Sequence, residues 1–227
     1  SGYGLPIGGV LATDGVVIPY AVGVDIGCRM SLSIYEIDPV KLEKKKSVFR
    51  RELLDNTLFG SGGQFNTGEN HAIMDDPRFR SLPIAKTLHG KAWKQLGTSG
   101  SGNHFAEFGE VHIKEGSDLG GLTPGVYVGL LTHSGSRALG ANIAQHYTRI
   151  ARDKCKLTSE AASLAWLRLD EEDGEAYWLS MNLAGDYAIA CHATIHRKIS
   201  AALGIKPIAK IESHHNFAWK ELLDGRE

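Results

Sequence analysis

The sequence predicts a mixed α and β fold built as one domain over residues 1–227, and three observations carry that expectation. Short apolar runs bounded by glycine or proline stand at 16–20, 30–37, 125–132 and 207–213, with the length and punctuation of strands. Longer stretches at 39–54, 85–96, 138–154 and 173–203 repeat apolar residues at intervals of three and four, the period of helices. A chain of 227 residues, 42% hydrophobic and 22% charged, is also large enough to bury one real core.

Each element has a local reason. The first two strands flank a glycine-containing turn, Asp25-Ile26-Gly27-Cys28, which puts Asp25 and Cys28 where two strand ends meet. Asp38 followed by Pro39 opens a charged helix to about residue 54, because an aspartate side chain accepts from an early backbone N–H and proline's fixed φ suits the first helical position. Residues 59–70 are rich in Gly, Ser and Asn and read as loop. The helix over 85–96 leads into a glycine-rich run ending in Gly102-Asn103-His104-Phe105, where glycine permits positive φ and close backbone approach to a ligand. The buried strand at 125–132 is followed by His133-Ser134-Gly135-Ser136-Arg137 and a helix over 138–154. That order turns backbone N–H groups toward a bound anion, with Arg137 in place for bidentate phosphate contact. The longest helix, 173–203, ends at Gly204, and the strand at 207–213 delivers His214 and His215. No internal repeat or low-complexity segment occurs.

Charge and cysteine usage narrow the function classes. Lys plus Arg (25) nearly balance Asp plus Glu (26), so no whole-chain field attracts nucleic acid and any such partner has to be held by a local patch. Cys28, Cys155 and Cys191 show no paired spacing, which fits a reducing compartment and makes the cytoplasm the expected location. No stretch approaches the roughly 18 apolar residues of a membrane helix. The abrupt start, Ser1-Gly2-Tyr3-Gly4, and the equally abrupt Asp224-Gly225-Arg226-Glu227 suggest a chain truncated at both ends.

The chemistry lies in the combination of motifs. Asp25 and Cys28, His104, His133 and His215 make up a carboxylate, a thiolate and three imidazoles, more donors than one tetrahedral ion takes, and a single cysteine sulfur can bridge two ions. Taken singly, each has a plainer reading: a turn-capping Asx, a small buried thiol, hydrogen-bonding loop histidines. Neighbouring strand residues point oppositely, so only one of His214 and His215 faces a given site. His192 and His196 share a helix face at i,i+4, but Ala193 stands where a zinc protease needs its glutamate, and the pair reads as structural. His71, His89, His112 and His146 lack ligand company. Lys44, Lys45, Lys46, Arg50 and Arg51 form a basic face of the solvated kind, and Cys155 reads as incidental.

In their order and spacing, DIGC, GSGNHF, HSGSR and HHNF resemble the RtcB family of GTP-dependent RNA ligases, over essentially this whole chain but only part of a family member. The resemblance implies an α+β fold with a metal site in a central cleft formed at strand ends and Gly-rich loops. It implies two Mn(II) ions and GTP, and the joining of RNA 2′,3′-cyclic phosphate or 3′-phosphate ends to 5′-hydroxyl ends, as in RNA repair or tRNA splicing. By motif, Asp25, Cys28, His104, His133 and His215 match metal ligands: Asp25 and His104 on one ion, His133 and His215 on the other, with Cys28 between them. Asn103, Phe105, Glu107 and Asn216 match guanylate contacts, Arg137 a phosphate contact. Broken RNA and an accessory activating protein are the implied partners; oligomeric state is left open. The same donors suit Zn(II), so Mn(II) follows from the resemblance alone.

Two departures mark a divergent branch: Arg29 and Ala138 stand where the family commonly has glycine. The family's guanylylated histidine lies in a later glycine-rich motif, which none of the ten histidines here matches, so this chain is expected to lack the nucleophile. Two other functions use the same residues. A dinuclear metal-dependent phosphoesterase needs the ions but has no use for Glu107 opposite a purine, and a non-catalytic RNA-binding fragment needs neither, though a near-neutral chain is poorly suited to it.

Overall fold

Antiparallel pairing between strands distant in sequence builds the platform of the molecule. The computed structural model describes residues 5–6, 8–117 and 121–222; the chain ends singled out above, 1–4 and 224–227, lie outside the described residues. Along the chain run β1 (Val16–Val17), α1 (Pro19–Val22), β2 (Arg29–Tyr35), α2 (Pro39–Lys44), α3 (Lys46–Asn56), α4 (Arg78–Ser81), α5 (Pro83–Gln95), β3 (Phe105–Ile113), β4 (Gly125–Ser134), α6 (Arg137–Cys155), β5 (Leu167–Arg168), α7 (Glu172–Leu203) and β6 (Pro207–His214). The fold is mixed α+β. β3, β4, β2 and β6 form a four-stranded antiparallel sheet in that order, and β1 pairs with β5 in a separate two-stranded ribbon.

Several elements differ from the sequence reading, each for a physical reason. The strand expected over 16–20 stops at Val17, because Pro19 takes the first position of a short helix whose N-cap is Ile18. The helix expected over 39–54 is two helices that part at Lys45, where φ is -115°. α2 buries no side chain and α3 buries Phe49, so no shared apolar stripe holds them in line. Asp38 does cap α2, accepting from the Val40 N–H at 2.9 Å. The whole of β3 is missing from the sequence reading. Its two faces, Phe105-Glu107-Gly109-Val111 and Ala106-Phe108-Glu110-His112, each mix polar with apolar residues, which erases the period-two signal.

Helices cover one face of the sheet. α7, closed by Gly204 in the left-handed conformation, packs with α5 and α6 in the main core, where Tyr177, Met181, Leu183 and Tyr187 are fully buried beside Leu96, Leu139 and Ile143. Its last turns cross the sheet, setting Ile195 and Ile199 against Tyr35 and Leu130 in a smaller apolar cluster. Nearer its middle, α7 meets the turn before β2 so closely that a Cβ on Gly27 (φ +66°) would lie 2.9 Å from the Gly185 Cα. Two glycines are what let helix and turn touch backbone to backbone.

Between these apolar contacts lies a polar seam. His192 and His196 are buried, within hydrogen-bond reach of Thr132, Ser134 and Ser33. A buried imidazole nitrogen left unpaired would cost about 1–3 kcal/mol; here all four ring nitrogens have partners. Burial pushes the His192 pKa down to about 4 and, with the neighbouring His192, that of His196 to about 3. Both folded values lie below the unfolded value near 6.5. The unfolded chain therefore takes up protons first on acidification, and the contribution of these groups, full above about pH 6.5, is lost as pH falls toward about 4 and 3. The urea midpoint of the metal-free protein is expected to drop between about pH 7 and about pH 5, before most carboxylates titrate. A flat midpoint there would contradict the buried neutral pair.

Candidate metal centre

Strand register gathers the site. Arg29, at the start of β2, pairs with Ser134 at the end of β4 and with His214 at the end of β6, and Phe105, at the start of β3, pairs with His133. In an antiparallel sheet those ends lie along one edge. The turn containing Asp25 and Cys28, the residue before β3 (His104), the penultimate residue of β4 (His133) and the residue after β6 (His215) therefore converge from four points in the sequence.

Loops bind one another at this edge mainly through backbone. The Gly27 N–H donates to the Asn216 carbonyl at 3.0 Å, and the His215 N–H to the Cys28 carbonyl at 2.9 Å. Asn216 lies in the left-handed region at φ 56°, which Asn tolerates better than most side chains, and its Nδ2 is 3.4 Å from the Asp25 carbonyl oxygen. The serines of HSGSR are turned inward: Ser134 Oγ donates to the Ser99 carbonyl at 2.7 Å and Ser136 Oγ to the Ile26 carbonyl at 2.6 Å. Gly135 stands where any Cβ would collide with the Asp25 carboxylate.

The side chains meet as two overlapping groups. Among the described residues, Asp25, Cys28 and His104 offer ligand atoms within 4.8 Å of one another, and so do Cys28, His133 and His215. Cys28 belongs to both, its Sγ 3.6 Å from His104 Nε2 and 3.2 Å from His133 Nε2. His104 Nε2 is 2.7 Å from Asp25 Oδ2, and His133 Nε2 is 3.4 Å from His215 Nε2. Four buried or half-buried donors and the exposed His215 thus face one small volume.

Hydrogen bonds set the state of each donor. His133 Nδ1 donates to the Asn103 carbonyl at 2.9 Å, which fixes the tautomer and leaves Nε2 a lone pair turned toward Cys28 and His215. Arg137 Nη1 donates to His104 Nδ1 at 2.9 Å, so His104 Nε2 carries the ring hydrogen and donates it to Asp25. Burial alone would raise the Asp25 pKa, but hydrogen bonds from His104 and Cys28 and the nearby Arg137 charge outweigh it and hold the carboxyl below its usual range. Burial, reinforced by the Asp25 carboxylate, pushes the Cys28 thiol well up. Burial lowers the His215 pKa, aided by His133. This donor set fits divalent cations: an ionised carboxylate, imidazole nitrogens, and a thiol whose proton an ion displaces, with the sulfur common to both groups.

The remaining sequence candidates are distributed around this edge. Phe105 tilts against the His133 ring with centroids 5.7 Å apart. Glu107, exposed, lies two residues on along β3 and on the same sheet face as His133. Asn103 presents its carbonyl inward while remaining exposed overall. His214 turns away from His215 to contact Phe217 and Trp219. Arg137 adopts φ 54°, an uncommon conformation for arginine, held by its bonds to His104 and to Ser134 Oγ at 3.2 Å, with its Nε–H left unpartnered. The expectation of free N–H groups at the start of α6 needs correction: the Ala138 N–H is taken by the buried side chain of Gln95 at 3.2 Å. Gln95 ends α5, and no pattern in the sequence flagged it. His71 caps a 3₁₀ turn, His89 is 2.8 Å from the Met74 carbonyl, His112 pairs with Glu110 and His146 packs on Tyr147. Cys155 bonds the Trp166 backbone.

A family model described as "tRNA-splicing ligase RtcB" matches residues 1–77 and 59–227. The chain is 29% identical to the "tRNA-splicing ligase RtcB" of Nanoarchaeum equitans over 83% of its own length and 47% of that relative, and 28% identical to the protein of that name from Methanococcus maripaludis over 99% and 57%. It is 30% identical to the "RNA-splicing ligase RtcB" of Mycobacterium bovis over 83% and 53%. The chain spans about half the length of the curated relatives it matches.

The shared sulfur makes a separable prediction. In a Co(II) titration, Cys28→Ser is expected to abolish thiolate-to-metal absorption and to weaken both binding steps; loss of one step alone would show that the sulfur serves a single ion. Because the thiol proton must leave, affinity is expected to rise with pH by about tenfold per unit for each proton displaced.

Proposed function

The chain belongs to the RtcB family, and from that premise we propose that it carries the metal-binding and guanine-contacting part of a GTP- and Mn(II)-dependent RNA ligase that joins 2′,3′-cyclic phosphate or 3′-phosphate ends to 5′-hydroxyl ends. The observation that supports this reading best is the overlap of two ligand groups on one sulfur. Asp25, Cys28 and His104 would hold one ion; Cys28, His133 and His215 would hold the other. Bound there, a pair of divalent cations neutralises charge on phosphoryl oxygens, which is what phosphoryl and nucleotidyl transfer require.

Around the ions, each protein group has its own task. Arg137 sits beside the first ligand group, its Nη1 on His104, and its guanidinium is the phosphate contact. Glu107 lies on the sheet face that carries His133, exposed and able to accept from the N–H edge of guanine. Phe105 offers a ring face beside His133. Asn103 fixes His133 through its carbonyl and is left with its side chain for the nucleotide, and Asn216 clasps the Asp25 turn while standing next to His215. RNA ends are the substrate, delivered to this sheet edge. None of the chain's histidines is assigned as the guanylylated nucleophile.

Glu107→Ala is expected to weaken GTP binding about tenfold or more, the loss of a charge-assisted hydrogen bond, while metal content measured by atomic emission stays at the wild-type level. Loss of metal would remove Glu107 from the guanine site. Unchanged GTP affinity with full metal content would favour a dinuclear phosphoesterase.

A further inference from the structure

Strand alternation sends His133 to one face of the sheet and its neighbours Thr132 and Ser134 to the other, where α7 crosses. There, His192 Nε2 lies 3.1 Å from the Ser134 carbonyl oxygen and His192 Nδ1 lies 2.6 Å from Thr132 Oγ1. His196 Nε2 lies 2.8 Å from the same hydroxyl and His196 Nδ1 lies 2.7 Å from Ser33 Oγ. The ring spacing suits the job, since four residues rise about 6 Å along a helix and two residues about 6.6 Å along a strand.

We propose that His192 and His196 are positioning residues for His133, acting through Thr132 and the Ser134 carbonyl to hold that ligand in register. The direction of every hydrogen bond follows from one group. The Ser134 carbonyl can only accept, so His192 Nε2 bears the hydrogen; neutral His192 then accepts at Nδ1 from the Thr132 hydroxyl. That hydroxyl, having given its hydrogen, accepts from His196 Nε2, and His196 Nδ1 accepts from Ser33 Oγ. With the Thr132 hydrogen given to His192 at 2.6 Å in preference to the Ser31 carbonyl at 3.4 Å, the chain is self-consistent and every ring nitrogen is used.

Such a chain does what apolar packing does not. A hydrophobic seam between α7 and the sheet would bury comparable area and also resist a one-residue slip, but it distinguishes poorly between alignments that keep the same face buried. A one-residue slip of β4 would swing the His133 side chain under the helix and, at the same time, leave these buried polar groups unpaired. β2 is tied into the same chain through Ser33, so the start of the strand that follows Cys28 is aligned together with His133. The inference rests on the metal-centre reading above.

Co(II) titrations of the 227-residue protein, followed in the visible and near-ultraviolet, test it, with the binding step lost in His133→Ala marking the subsite concerned. Thr132→Val, which keeps shape and strand preference but removes the hydroxyl, is expected to weaken that step about tenfold or more while the other step stays within about twofold; Thr132→Ser is expected to restore it. Should the valine variant not fold, Ser33→Ala removes the far end of the chain and is expected to weaken the same step. Variants that load Co(II) like the wild type, or a serine variant that does not rescue, would overturn the positioning role alone. A wild-type protein that takes up no Co(II) would overturn the metal centre and this inference with it.

Discussion

Everything at the candidate centre depends on the antiparallel register that sets Arg29 opposite both Ser134 and His214. No two of the four motifs are close in sequence, and no local interaction brings them together. Register does so by aligning strand ends, after which short backbone bonds between the Asp25 turn and the segment after β6 close the remaining distance. Register is cooperative: it is right for all the ligands or for none. A lesion in the sheet is therefore a lesion in the site.

The site also shows how much polar chemistry a buried edge can absorb when each group has a partner. Ser134 and Ser136 turn inward to hold other loops, the Asn103 carbonyl holds a ring, and Gln95 caps a helix from another element. Arg137 departs from this pattern, as do Arg29 and Ser99. Arg137 also occupies an uncommon backbone conformation, so its one unsatisfied buried donor coincides with local strain.

Much of this was legible in the sequence, and unevenly. The four motifs singled out residues that the fold brings together, because chemistry-bearing types flanked by glycine are uncommon in a packing role, and the long helix ending at Gly204 followed from period and cap. β3 was illegible because its faces are mixed, and the interruption at Lys45 because it reflects what each half packs against. The His192–His196 pair reads as structural from spacing alone, but its partners Thr132 and Ser33 come from other strands, and only pairing brings them into reach. Gln95 and the inward serines belong to the same class. Their roles are set by what lies across a loop, which a linear chain does not record.

The rise of the Cys28 thiol pKa through burial and the Asp25 carboxylate has a consequence for its reactivity. Peroxides and alkylating agents attack the thiolate, and a sulfur that keeps its hydrogen reacts slowly with either. Burial thus shields the softest of the five candidate ligands from irreversible oxidation.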